Sequence, residues 1–199
     1  WITSRFSGAL NRVHEAFTEY RFDLAAQTLY EFVWDEYCDW YIEMTKVALY
    51  DESSSKNEKG AVCHVLLNVL DGLLRALHPF MPFITEEVWL KAAPLLGTEA
   101  SSIMTQPYPK THDYRFSQPD ETAFDWLREF VLGIRRIRSE YSIEPAQRIR
   151  AYTKGGTTDE LAWVNEFSGI ISQIARVDIE CAPGTDDRET ATSLAGQTS

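Results

Sequence analysis

A chain of 199 residues with 44% apolar and 13% aromatic side chains can build one large or two small domains around a real core, which excludes a disordered protein. Its formal net charge of -11 excludes a protein that holds nucleic acid by bulk charge alone. No uninterrupted apolar run approaches the roughly 18–20 residues of a membrane span, and no basic leader with a small-residue cleavage site is present, so no membrane association is expected. Cys38, Cys63 and Cys181 are odd in number and lack C-x-x-C spacing, which argues against a disulfide framework or a zinc site and fits the reducing cytoplasm. The chain opens at Trp1 inside a helical pattern and reads as a piece of something longer. Its charge is uneven: His14 to Glu58 holds eleven acidic and three basic residues, whereas Val131 to Lys154 carries Arg135, Arg136, Arg138, Arg148, Arg150 and Lys154 against Glu140 and Glu144. A local basic face is expected there.

Ile2, Phe6, Ala9 or Leu10, Val13 and Phe17 recur at steps of three and four, the pattern of an amphipathic helix. Arg5 and Arg12, seven apart, share one of its faces, either as a solvated basic edge or as a phosphate-contacting one. A second, longer helix carries Phe22, Ala26, Leu29, Val33, Tyr37, Trp40, Met44 and Val47 inward, with Tyr30, Trp34, Tyr41 and Ala48 as a second buried stripe. Glu31, Asp35, Asp39 and Glu43 form an i, i+4 ladder read as a solvated acidic face. A di-iron bundle would also need Glu-x-x-His pairs, and no histidine has a glutamate three residues before it. Asp51 to Gly60 reads as a polar loop. A third helix then buries Val62, Val65 or Leu66, Val69, Leu73, Ala76 and Leu77 until Pro79 ends it.

His78-Pro79-Phe80-Met81-Pro82-Phe83 predicts a rigid apolar elbow, because Pro79 removes a donor and Pro82 suits a first helical turn. A fourth helix follows from Pro82 to about Ala93, packing through Phe83, Val88 and Trp89. Leu95 to Asp120 is an irregular excursion that keeps Ile103, Met104, Tyr108, Tyr114 and Phe116 for packing. The fifth helix spans roughly Glu121 to Tyr141, with Ala123, Leu127, Phe130, Ile134, Ile137 and Tyr141 inward and Arg128, Arg135, Arg136 and Arg138 on other faces. Such arginines can bridge successive phosphates or pair with nearby carboxylates. Arg148 to Thr153 alternates as a strand, a helix runs from Thr158 to about Ile171, and Val177 to Cys181 forms a second strand. The expected fold is mainly α, a bundle of about five helices over 1–146, with a small β-α-β appendage over 147–182 and a disordered tail over 183–199.

No phosphate loop, dinucleotide fingerprint, nucleophile elbow or His-Glu-x-x-His is present, and Cys38 and Cys63 fall on packed helices where thiols are inert. The chain therefore reads as a non-catalytic helical binding module, with no cofactor or metal of its own. Trp1-Ile2-Thr3-Ser4-Arg5, Tyr20-Arg21-Phe22-Asp23-Leu24-Ala25-Ala26, Tyr30-Glu31-Phe32-Val33-Trp34-Asp35-Glu36-Tyr37-Cys38-Asp39-Trp40-Tyr41, the elbow, and Ile134-Arg135-Arg136-Ile137-Arg138 supply a further reading. In these stretches, over residues 1 to 150, the sequence resembles the anticodon-binding helical bundle of class I aminoacyl-tRNA synthetases, specifically the valyl-tRNA synthetases. The elbow is shared by the valine, leucine and isoleucine enzymes, whereas Cys38-Asp39-Trp40-Tyr41 is similar to the valine enzymes. The ATP-binding His-x-Gly-His and Lys-Met-Ser-Lys-Ser types of motif are absent.

The resemblance implies a monomeric, cytoplasmic enzyme that couples valine to its tRNA with ATP in a catalytic domain outside this chain. It implies that this piece binds the anticodon stem-loop of tRNA(Val) beside the remaining domains of the same synthetase. Arginines would hold phosphates while aromatics or Arg planes stack on splayed bases. Charge and position nominate Arg5, Arg12, Arg21, Phe22, Arg135, Arg136 and Arg138. The net acidity and the wide aromatic stripe keep a purely structural or protein-interaction bundle as the alternative.

Overall fold

The computed structural model describes residues 1–99, 101–144, 146–153 and 155–181, and the chain divides into two compact units, Trp1–Gln118 and Pro119–Ser199. The division falls earlier than the sequence boundary at 146, which follows a change of pattern rather than packing. The arginine-bearing helix is thereby grouped with the strands. The expected tail at 183–199 lies outside the described residues.

The first unit opens with α1 (Ile2–Thr18), whose Ile2, Phe6, Ala9, Leu10 and Val13 are buried as the spacing requires; at its end Ala16 is buried and the expected Phe17 only half-buried. It stops in a left-handed residue, Tyr20 at φ 57, and the Arg21 N–H bonds back to the Ala16 carbonyl, satisfying an end that would otherwise be orphaned. Next come α2 (Phe22–Glu31), a π-helical segment (Phe32–Ile42) and α3 (Glu43–Tyr50), together the long second helix. The π segment explains why a period of 3.6 misjudges its faces. Phe32, Tyr37, Trp40 and Tyr41 of this segment are in the core and Trp34 is exposed; Tyr30, on α2 ahead of it, is exposed too, so the second stripe is only partly buried. Glu31, Asp35, Asp39 and Glu43 are all exposed. Burial raises the Cys38 thiol above its ordinary range, as an inert packed cysteine requires.

The helix after the loop begins earlier than expected. α4 (Lys56–Leu77) starts at a capping box in which the Ser55 hydroxyl accepts from the Glu58 N–H, while the Glu58 carboxylate accepts from the Ser55 N–H. Among the described residues α4 is the one helix long and apolar enough to cross a membrane, with mean hydropathy 1.4, although scattered polar residues interrupt its apolar run. Core helices pass the same test, and Val69, Leu73 and Ala76 are fully buried in this unit. Gly72 is required by close approach: a Cβ there would lie 1.8 Å from the Tyr114 hydroxyl and 2.8 Å from the Phe6 ring.

The elbow forms as expected, with Pro82 opening α5 (Pro82–Ala92). The buried Thr85 hydroxyl donates to the Met81 carbonyl and lies 2.8 Å from His78 Nδ1. Asp71 pins the two helices, accepting from Trp89 Nε1 at 2.7 Å and from the Arg75 guanidinium at 2.6 and 2.9 Å. Two packing expectations fail. Phe83 is 90% exposed, and in the excursion Met104 and Phe116 face solvent while Ile103 and Tyr114 are buried. The excursion is held largely through polar anchors instead: Ser7 donates to the Thr111 carbonyl, the Ser117 N–H donates to Ser4, and Glu86 accepts from Ser102 and the Ile103 N–H.

In the second unit, α6 (Gln118–Glu140) buries Phe124, Leu127, Val131, Ile134 and Arg138, a stripe rotated from the expected one, with Tyr141 exposed just beyond it. Strands β1 (Ile149–Thr153) and β2 (Val177–Cys181) pair in parallel, with Ile149 opposite Val177. The connection is two helices, α7 (Thr158–Glu166) and α8 (Ser168–Ala175), rather than one. Val164 and Ile171 are buried in it, and Trp126 stacks on Phe130 and tilts against Trp163.

Candidate nucleic-acid interface

In the first unit two of the nominated residues, Arg21 and Phe22, lie at the corner between α1 and α2, while Arg5 and Arg12 lie back along α1. Phe22 is 54% exposed and meets Tyr20 edge-on at 6.5 Å, with Phe17 behind it at 5.9 Å. Phe17 in turn stacks on Phe80 of the elbow at 6.1 Å and touches Tyr108 at 5.8 Å. The elbow therefore serves this corner from behind, by backing the ring that backs Phe22. Tyr20 joins the candidates only through the structure. An exposed tyrosine held at positive φ is costly unless its surroundings demand it, and only backbone geometry reveals that.

Arg21 is exposed, and its Nε and Nη2 donate to the two Asp23 oxygens at 2.9 and 2.7 Å. This hydrogen-bonded pairing holds the Asp23 carboxyl well below its ordinary range, at about 2. The fork that would grip a phosphate is thus partly engaged by a carboxylate that stays ionised at neutral pH. Arg12 is exposed and folds back along α1 toward Gly8, whereas Arg5 is half-buried. The corner therefore sets the Tyr20 and Phe22 rings beside one nominated cation, Arg21, the kind of pairing that single-stranded RNA loops use.

In the second unit the expected basic face is thinner than the sequence count suggests. Arg148 donates to Asp178 at 2.9 Å and also to Ser172, and Arg150 lies 4.0 Å from Glu180, so β1 is neutralised across the sheet by β2. Arg138 is only 7% exposed. Its guanidinium donates to the carbonyls of Glu144 and Gln147, both at 2.7 Å, and to that of Arg176 at 3.4 Å. The nomination of Arg138 for phosphate contact is corrected by this burial: its donors fasten the turn after α6 to the start of β2. Arg135 and Arg136 remain exposed on α6, and Arg135 lines an open depression of about 470 Å³ with Ser139, Ser142 and Glu144.

Residues 1–153 match the family described as the anticodon-binding domain of tRNA ligase. The chain belongs to this family. Among similar proteins, the valine–tRNA ligase of Legionella pneumophila (strain Lens) is 40% identical over 178 residues, covering 89% of this chain and 19% of that protein. Those of Coxiella burnetii and Acinetobacter baylyi are 39% and 38% identical over 89% of this chain, covering 19% and 18% of theirs. The chain thus spans about a fifth of the length of the curated relatives it matches. An anticodon-binding domain must present stackable surface and cations to a nucleotide loop. Those features are exposed at the α1–α2 corner and, as arginines, on α6; on the second helix the exposed Tyr30 and Trp34 rings lie beside carboxylates instead.

Proposed function

We propose that this chain is the anticodon-arm-binding domain of a valine–tRNA ligase. It would position tRNA(Val) for ATP-dependent aminoacylation carried out by a catalytic domain elsewhere in a longer, monomeric, cytoplasmic polypeptide. The observation that carries the reading is the 40% identity to valine–tRNA ligases across 89% of the chain. The exposed Tyr20–Phe22 pair supports it as a stacking surface for splayed bases. Arg12 and Arg21 in the first unit, and Arg135 and Arg136 in the second, are the phosphate-holding residues, with half-buried Arg5 a lesser contributor. The chain contributes orientation and no catalytic group; ATP is held by the catalytic domain.

The test is a titration of the tRNA(Val) anticodon stem-loop at two salt concentrations. Binding should weaken with salt at a slope of about -0.7 per phosphate contact for single-stranded RNA. An intact fold that shows no binding at low salt would sink the reading.

A further inference from the structure

The exposed rings of the α1–α2 corner are both tied to one residue of α1. The Phe17 carbonyl accepts from the Tyr20 N–H at 3.1 Å, and the Phe17 ring lies 5.9 Å from that of Phe22, so backbone and side chain of Phe17 reach the two rings separately. Behind Phe17 stand Phe80 of the elbow and Tyr108 of the excursion. Phe80 is fixed through its backbone, because its own N–H and that of Met81 both donate to the Leu77 carbonyl, at 2.9 and 3.0 Å. Tyr108 is fixed at its tip, where the hydroxyl donates to the Ala76 carbonyl at 3.3 Å, and its ring lies 5.7 Å from that of His14. Phe17, Phe80 and Tyr108 are all half-buried and pack against the core cluster of the unit. They form a bridge of rings from that core to the surface pair.

We propose that Phe80 and Tyr108 are positioning residues for RNA binding, which act through Phe17 to hold the Phe22 ring where a loop base stacks on it. The inference rests on the reading that this corner receives bases of the tRNA(Val) anticodon loop. A ring already held by its neighbours has little rotamer freedom left to lose when a base settles on it, so a preformed platform binds more tightly than a loose one. Ring shape matters to the bridge, because the Phe17 and Phe80 planes lie within 18° of parallel. An aliphatic side chain fills the space behind Phe17 but offers it no flat face. A role in packing alone predicts lost stability whatever stands at position 22. The bridge predicts lost affinity that fades once Phe22 has no ring to hold.

The experiment is a double-mutant cycle in the full-length ligase, read as the KM and kcat for charging of tRNA(Val). Phe80→Leu and Tyr108→Leu should each raise the tRNA KM by about threefold to tenfold with kcat unchanged, and by less than about twofold when Phe22→Ala is already present. Phe80→Tyr, which keeps the ring, should retain the parent KM. An undiminished effect in the Phe22→Ala background, an unchanged KM in both leucine variants, or a Phe80→Tyr variant as impaired as Phe80→Leu would each overturn the inference. The two leucine variants enter the bridge from different segments, so if one fails to fold the other decides. Unfolding of both would overturn the inference by showing that the rings serve the fold. Phe22→Ala alone separates the two readings: if it leaves the tRNA KM unchanged, the reading of the corner fails and this inference with it. If it raises the KM while the leucine variants do not, only the positioning role fails.

Discussion

Two arginines that look alike in sequence end in opposite situations. Arg21, at the α1–α2 corner, is exposed and bound to a side chain that can be displaced. Arg138, near the end of α6, is buried and bound to backbone carbonyls that cannot. The corner is therefore equipped to exchange partners, and the end of α6 is fastened. The difference teaches that an arginine's function is decided by the acceptors the fold supplies, because a guanidinium satisfied by several carbonyls has few donors left for a phosphate.

The comparison breaks most directly at Arg138. Arg138→Ala should destabilise the second unit by about 2–4 kcal/mol, since buried carbonyls lose charge-assisted partners. Arg138→Lys should recover little of this, because an ammonium cannot reproduce the fork. Urea denaturation followed by the fluorescence of Trp126 and Trp163 reads both variants, and stability unchanged within error would return Arg138 to the candidate surface.

Phe22→Ala should weaken stem-loop binding by about 1–3 kcal/mol, the range for one base–aromatic stack, with a small effect on unfolding. A loss of stability matching the loss of binding would instead mark Phe22 as a packing residue. Reversing Arg135 and Arg136 together to Glu should lower affinity and flatten the salt dependence by about 0.7 for each phosphate no longer held. Unchanged affinity would favour the protein-interaction alternative for α6.

The smallest effect is expected at Asp23. Asp23→Asn releases the Arg21 fork and should raise stem-loop affinity about twofold to threefold, in keeping with the weak energetics of exposed ion pairs. The pH sense follows from the depressed Asp23 pKa. The pair is complete at neutral pH and is lost only as pH falls toward about 2, so an affinity gain on acidification would have to be confined to that acidic range. A fall in affinity in the Asn variant would mean that Asp23 orients Arg21 for its phosphate rather than competing with it.

Legibility in the sequence follows the period of each element. The faces of α1 and the core of α4 are readable, because a regular 3.6-residue turn converts spacing directly into direction. The capping chemistry of Ser55 and Glu58 is present in the sequence but reads as loop, since polar residues of this kind serve either purpose. Spacing misplaces Trp34 because the π-helical turns shift side chains relative to an α-helical count, whereas Tyr30, on the regular α2, is exposed because no other element of the unit packs over that side. At the interface, Phe22 and Arg21 follow from residue type and a family resemblance, whereas Tyr20 requires its backbone angle.

Sequence by itself determined the mainly helical class, the proline elbow, the order of the helices and the family, because these rest on local propensity and on short runs of residues. Tertiary structure alone decided that Arg138 is buried against backbone carbonyls, that β2 carboxylates pair with the arginines of β1, and that Phe83 faces outward. Each depends on which distant carbonyl, carboxylate or ring arrives beside the side chain. The spacing of residues along one helix carries no record of such arrivals.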